Sequence, residues 1–114
     1  MFTNVEFKNF GGAIGTSATV LYTCPTTNPP TKAILLSLQA ANVDGSASAD
    51  ITAYWTDDSD IDAIKNWAKT IPLAADTSIG LITGKPTLEQ GDTVVGIASA
   101  AGDIEISGSV MELS

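Results

Sequence analysis

The sequence contains no histidine and no arginine, a single cysteine and five lysines. Because histidine is the commonest general base and metal ligand, its absence removes every Ser-His and Cys-His nucleophilic arrangement. Acidic residues are plentiful, but no spacing singles out a pair for glycosidic chemistry. The sequence therefore predicts a protein that is not an enzyme, with no catalytic residue, no cofactor and no metal site.

Positive charge is also scarce, since thirteen acidic residues outnumber the lysines and give a net charge of −8. Binding to nucleic acid or to an anionic membrane depends on clustered basic residues, and these lysines are dispersed along the chain. We therefore expect neither partner. The simplest interpretation of the acidic surface is that it keeps the chain soluble.

Cysteine pairs and long apolar runs are missing as well. Cys24 has no second cysteine with which to form an internal disulfide, which favours a reducing compartment and a thiol in the core. The first residues lack the basic stretch and apolar run of a signal peptide. The most apolar segment, residues 33–43, is much shorter than the about 20 residues of a spanning helix. We expect no membrane segment.

What the sequence does contain is threonine, valine, isoleucine and serine in short runs between turn residues, which is typical of β-strands. Alternation predicts strands at residues 18–24, 32–42, 51–56, 66–73, 78–82, 93–98 and 104–113, with one helical turn near 59–64. Seven to eight short strands at regular spacing favour an all-β fold, namely an antiparallel β-sandwich or a jelly-roll-like barrel.

The same alternation predicts faces and neighbours. In strand 32–42 the even-numbered positions form the apolar face, and the turn after it makes strand 51–56 its antiparallel neighbour. In the last strand Met111 and Leu113 fall out of phase. They predict either a bulge near Gly108 or burial on both faces of the strand.

The chain divides unequally. Residues 16–114 are predicted to form one β-sandwich domain, whereas residues 1–15 form an N-terminal arm that ends in a flexible, glycine-rich joint. We expect the arm to pair with or dock onto a neighbouring molecule. The predicted partner contacts are Phe2, Phe7, Phe10 and Trp67.

Two segments approach ligand-binding motifs without matching them. Residues 80–86 echo a phosphate loop, but one residue is missing between the glycines and Pro86 replaces the metal-binding hydroxyl, so a β-turn is predicted. Residues 57–62 carry four aspartates, but Ala63 stands where a calcium loop requires glycine. These aspartates form either a solvated acidic loop or a site for a hard cation, and both alternatives stay open.

From residue 18 onwards the sequence resembles small virion structural proteins of tailed bacteriophages, of the kind associated with cyanobacterial and marine hosts. The resemblance rests on the order of the segments Val20-Leu-Tyr-Thr-Cys-Pro25, 32–42, Ile51-Thr-Ala-Tyr-Trp-Thr56, 70–73, Leu88-Glu-Gln-Gly-Asp92, 98–103 and 109–112. It implies a β-sandwich that assembles in the host cytoplasm onto the virion. There it acts as a capsid cement or decoration protein that contacts the major capsid protein or other virion proteins. It also implies a homo-oligomer, namely a homotrimer.

Other roles remain open at this level. The resemblance fits a neck, tail or fibre position as well as one on the head. Trp55, Trp67 and Tyr54 lie near the acidic segment and suggest a carbohydrate- or receptor-binding face, although core packing explains Trp55 more simply because it shares its phase with Ile51 and Ala53.

Overall fold

The computed structural model describes residues 3–26 and 31–114. These residues form the strands β1 (Val5–Ile14), β2 (Thr19–Thr23), β3 (Lys32–Asn42), β4 (Ala49–Asp57), β5 (Ala63–Leu73), β6 (Ser78–Gly80), β7 (Thr87–Leu88), β8 (Thr93–Ala98) and β9 (Ile104–Leu113). A 3-10 turn, Asp58–Asp60, follows β4. Within the described ranges there is no helix with the length and hydrophobicity needed to cross a bilayer. The predicted all-β class is confirmed.

The strands form two antiparallel sheets that pack face to face. The first sheet has the order β1-β9-β3-β6, with β7 also paired to β3, and the second has the order β2-β8-β4-β5. Apart from the β4–β5 hairpin and the β6–β7 connection, each connection leads from one sheet to the other. This is the connectivity of a double-sheet jelly roll, so the predicted sandwich architecture is confirmed.

The core lies between the sheets and is filled by alternating residues of both. Members include Ile14, Leu35, Ile51, Leu88, Val94, Ile104, Ile106 and Val110, each at most 1% exposed. The predicted phase of β4 is correct, since Ile51 and Ala53 are fully buried and Trp55 packs against the same cluster.

The phase of β3 follows the prediction in one half of the strand. Its register with β9 shifts between Leu35 and Ser37, which inserts one unopposed residue. Leu35 therefore faces the core and Ile34 faces outward, contrary to the prediction, whereas Leu38 lies inside as expected.

The irregularity predicted near Gly108 does not lie in β9. Strand β9 pairs with β1 without any register shift, and the bulge belongs to β3, the strand on its other side. Met111 and Leu113 are partly buried although they point away from the core. Burial on both faces, the other alternative, is what the structure contains.

The predicted pairing of β3 with β4 is wrong, because the two strands lie in different sheets. The connection at residues 43–48 crosses the sandwich instead of turning back. Asn42, 2% exposed, fixes this crossing: its Nδ2 donates to the carbonyls of Ala47 (3.0 Å) and Leu73 (2.9 Å), and its Oδ1 accepts from the Asp44 N–H (2.9 Å).

The segment assigned to an arm contributes an edge strand. Strand β1 pairs with β9 along its whole length, from Val5 opposite Leu113 to Ile14 opposite Ile104. Gly11 lies inside this strand, so the predicted flexible joint is wrong. The opposite edge of β1 has no partner among the described strands, and docking of this segment onto a neighbour stays a prediction.

Candidate assembly surface

The acidic segment at residues 57–62 caps a turn. Asp57 Oδ1 accepts hydrogen bonds from the N–H (3.2 Å) and the hydroxyl (2.7 Å) of Ser59, and the Asp60 carboxylate lies 3.9 Å from Lys65 Nζ. Across residues 3–26 and 31–114, no three cysteine, aspartate or glutamate side chains come close enough to hold a metal ion. The Asp57 and Asp60 carboxylates thus contact residues of their own hairpin.

The segment 88–92 connects two turns through hydrogen bonds of Asp92. Asp92, 2% exposed, accepts the N–H of Asp58 at Oδ1 (3.0 Å) and the N–H of Glu89 at Oδ2 (2.8 Å). Gly91 has a φ of +82°, and a Cβ there would lie 2.7 Å from Asp58 Cγ. This buried carboxylate therefore ties the turn before β8 to the 3-10 turn.

A polar cluster of Tyr22, Glu112 and Lys8 joins the two sheets at one end of the sandwich. The Tyr22 hydroxyl donates to Glu112 Oε2, and Lys8 Nζ lies 3.0 Å from Glu112 Oε1. Burial, and then the hydrogen bond to Glu112, raise the pKa of Tyr22, and the same carboxylate raises the pKa of Lys8. Glu112 is only 7% exposed, so these two partners compensate its buried charge.

The four predicted partner contacts have different surroundings. Phe7 is 69% exposed. Phe10 stacks on Tyr22 with a centroid distance of 5.6 Å, and Trp67 is partly buried against the core. Phe2 lies outside the described residues. Of these side chains, Phe7 is the one that the described structure leaves at the surface.

Phe7 belongs to an apolar area that the sequence analysis did not identify. Residues opposite each other in an antiparallel pair point to the same face, and Phe7 is opposite Met111, which is opposite Ile34. Val5, 58% exposed, is opposite Leu113 in the next row. We call these five residues the outer apolar patch. The out-of-phase Met111 and Leu113 were the sequence signal for it.

The second sheet also carries apolar side chains on its outer face. Tyr54 (9% exposed) and Val95 (3%) are buried without belonging to the core cluster. They lie side by side, and Val20, 58% exposed, is on the other side of Val95. Simple alternation along residues 18–24 predicts that Val20 shares a face with Tyr22, but β2 has a register shift between these two residues.

The four sheet edges differ in how open they are. Strand β1 presents ten residues in continuous register. By contrast, β2 has one register shift, β5 has two and contains Pro72, and β6 and β7 are three and two residues long. Bulges, proline and short strands are devices that prevent strand addition. Among the described strands, β1 is therefore the edge that a further strand can extend.

Comparison with known proteins gives no sequence relative. No protein-family model matches the chain, and no curated protein matches it.

Solved structures with a similar fold exist at low sequence identity. A protein of Bacillus endospore appendages, which form disulfide-linked pili, superposes with a TM-score of 0.56 at 14% identity, over 97% of this chain and 87% of the other. The acid-stable capsid of Helicobacter pylori bacteriophage KHP30 gives a TM-score of 0.56 at 8% identity, over 100% and 90%.

A larger protein contains the same fold as one part. The structure of infectious bursal disease virus strain Gx gives a TM-score of 0.52 at 11% identity, over 96% of this chain but 31% of the viral chain. At such identities the similarity concerns the fold alone.

Proposed function

We propose that this protein is a non-enzymatic structural component of a virus particle. The observation that carries the proposal is the outer apolar patch beside the open edge of β1, on a sandwich whose fold matches a phage capsid protein over nearly the whole of both chains. An exposed apolar patch next to an unpaired strand favours a protein contact. The described residues offer such a contact surface.

The finer proposal is a capsid cement or decoration protein of a tailed, cyanophage-like bacteriophage, assembled onto the head in the host cytoplasm. It is supported by the order of sequence segments between residues 18 and 114. A standard interface buries about 800 Å² per partner. That is roughly an eighth of the 6027 Å² surface, so the chain has room for contacts with the major capsid protein and with a further copy.

The homotrimer that the resemblance implies is a separate expectation. It predicts a solution mass three times that of the 11.7-kDa chain. A closed three-fold ring requires two different contact surfaces on each copy, and the outer apolar patch is a candidate for one of them.

Binding to empty heads tests the cement proposal. The purified chain is mixed with emptied heads of its phage and, as a control, with heads of an unrelated phage, and bound copies are counted after sedimentation. We expect saturation at hundreds of copies on the matching heads and none on the control. A handful of copies per particle favours the neck, tail or fibre position, and absence of binding to any virion part contradicts a virion role.

An appendage subunit is the second candidate, because the fold matches the Bacillus pilus protein with the same TM-score. Disulfide linkage through Cys24 is disfavoured, since its thiol is fully buried and lies 3.8 Å from the carbonyls of Thr31 and Leu88. Fibres that form equally well with and without reductant favour this second candidate.

A carbohydrate-binding role receives no support from the aromatic residues that suggested it. Trp55 and Trp67 pack against the core cluster, and Tyr54 is 9% exposed. The packing of Trp55 and Trp67 against the core and the burial of Tyr54 are explained without a sugar ligand.

A further inference from the structure

The open edge of β1 is complementary to itself. We propose that two copies of this chain pair β1 against β1 in antiparallel orientation, around a two-fold axis at Phe7, so that their first sheets become one continuous sheet. This dimer is an alternative to the homotrimer that the resemblance implies, and it does not depend on a virion role.

The direction of the backbone N–H and C=O groups along β1 determines which residues can pair across the open edge. The Asn4 N–H donates to the Ser114 carbonyl (2.8 Å), and the Ser114 N–H donates to the Asn4 carbonyl (3.1 Å). In an antiparallel pair such doubly bonded residues alternate with unbonded ones. Even-numbered residues of β1 therefore turn their backbone groups toward β9, and Val5, Phe7 and Asn9 turn theirs toward the open edge.

Charge then selects the register. Pairing of odd with odd residues allows the two-fold axis to pass through Glu6, Phe7 or Lys8. An axis at Glu6 or at Lys8 places two like charges directly opposite each other, which is destabilising. An axis at Phe7 instead places Glu6 of each copy opposite Lys8 of the other. An axis at Val5 or at Asn9 does not place Glu6 of one copy opposite Lys8 of the other.

Both charged side chains are free to reach across the edge. Glu6 and Lys8 are 67% and 43% exposed, and their own carboxylate–ammonium distance is 4.0 Å. Lys8 already contacts Glu112 of its own chain at 3.0 Å. In the pair, each Lys8 is held between its own Glu112 and the incoming Glu6, so the polar cluster extends across the two-fold axis.

The same register joins the two outer apolar patches. Phe7, 69% exposed, meets its own copy at the axis, and Met111 and Ile34 continue the row on each side. Edge pairing supplies main-chain hydrogen bonds, and the joined row supplies apolar burial. A contact this narrow buries less than the about 800 Å² per partner of a standard interface, so we expect a dimer that dissociates on dilution.

The first test measures solution mass against concentration by light scattering. The wild-type chain is expected to reach twice 11.7 kDa. Glu6→Lys places lysines opposite each other at both pairs and is expected to weaken the dimer by about tenfold or more. Glu105→Lys makes the same charge change on the outer face of β9, opposite Ala13, and is expected to leave it unchanged. A monomer at all concentrations, a trimer, or equal effects of the two variants overturns the proposal.

The second test reads the register by oxidation. Opposed residues of a bonded pair have Cα atoms about 5.5 Å apart, which is within disulfide range. Phe7→Cys is therefore expected to form a disulfide-linked dimer faster than Glu6→Cys or Asn9→Cys, and faster than Lys65→Cys on β5. Cys24 is fully buried and does not interfere. A faster reaction of Glu6→Cys or Asn9→Cys, or a rate for Phe7→Cys equal to that of Lys65→Cys, overturns the proposed register.

Discussion

Two of the four non-glycine residues with positive φ among the described residues, Ile61 and Asp62, lie at the tip of the β4–β5 hairpin. Ile61 has a φ of +54° and is 95% exposed. For an L-residue other than glycine this left-handed conformation costs about 1–2 kcal/mol, and a β-branched side chain makes it less favourable still. No packing compensates this strain.

Ile61→Gly is expected to stabilise the fold by about 1 kcal/mol, because strain is removed and no buried contact is lost. The free energy of unfolding in urea measures the change. Ile64→Gly is the matched control: Ile64 is also exposed (57%) but lies inside β5, so glycine there lowers stability. A loss of stability in both variants would contradict the assignment of strain to Ile61.

Two carboxylates next to the sheet crossing have opposite pKa shifts. The N–H groups of Ser46 and then Ala47 hold the pKa of Asp44 below its ordinary value. Partial burial, and then the charge of Asp44, raise the pKa of Asp103 above its ordinary value of 3.8. Ionised Asp44 therefore stabilises the fold, whereas ionised Asp103 destabilises it.

Asp103→Asn is expected to raise the melting temperature at pH 7, where Asp103 is ionised in both the folded and the unfolded chain. The gain disappears as the pH falls through the raised folded pKa and below the ordinary value of 3.8, because the carboxyl is then neutral in both states. Melting curves between pH 7 and pH 3 measure it. Asp44→Ala gives the opposite sign at pH 7, and a gain for Asp103→Asn that persists at pH 3 would show that charge is not its cause.

At the scale of elements, the polar cluster decides how firmly β1 and β2 are held. Tyr22→Phe leaves the buried Glu112 with Lys8 as its remaining partner in the cluster. Loss of one hydrogen bond to a buried charge costs about 1–3 kcal/mol. Amide hydrogen exchange is expected to accelerate in β1 and β2 first.

Tyr54→Phe controls for the loss of a tyrosine hydroxyl as such, since Tyr54 lies on the outer face of the second sheet, away from this cluster. This substitution removes no contact with a buried charge, so it is expected to cost less stability than Tyr22→Phe. Equal exchange profiles in the two variants would mean that the Tyr22–Glu112 contact does not hold β1.

The elements also separate what the sequence predicts from what it does not. The phase of β4 was readable because Ile51 and Ala53 alternate with polar residues into a one-sided core. The bulges in β2 and β3 could not be predicted. An inserted residue reverses the faces of a strand, and no particular residue type in the sequence indicates where this happens. Strand β1 was missed because it is exposed on both faces along most of its length. The outer apolar patch includes residues of β1 and of β3, so the sequence did not reveal it.

For the whole molecule, one core and no cross-link mean that stability depends on a single cooperative unit. Burial, above all, raises the pKa of the Cys24 thiol to about 11, and its side chain is fully buried. Thiolate is the reactive form. The raised pKa and the burial of the side chain therefore both protect Cys24 from alkylation in the folded chain.

Cys24 is expected to react with iodoacetamide only at the rate of global unfolding, and reductant is expected to leave the melting temperature unchanged. Labelling followed by mass spectrometry, compared with unfolding rates in urea, measures this. Gly12→Cys, at a strand position with open space around its Cβ, supplies a thiol that reacts at once. Labelling of Cys24 well ahead of unfolding would mean that its surroundings open locally.

The pairing of β1 with β9 joins residues about as far apart in sequence as this fold allows, with Val5 opposite Leu113. Contacts of such sequence separation form late and slow the folding of a chain. β1 can therefore pair with β9 only after the ribosome has produced β9. The open edge of β1 therefore forms only on the folded sandwich. The alternating free backbone groups that a second copy would bind form with it. On the proposed pairing, a chain whose synthesis or folding is incomplete has no edge with which to bind a second copy.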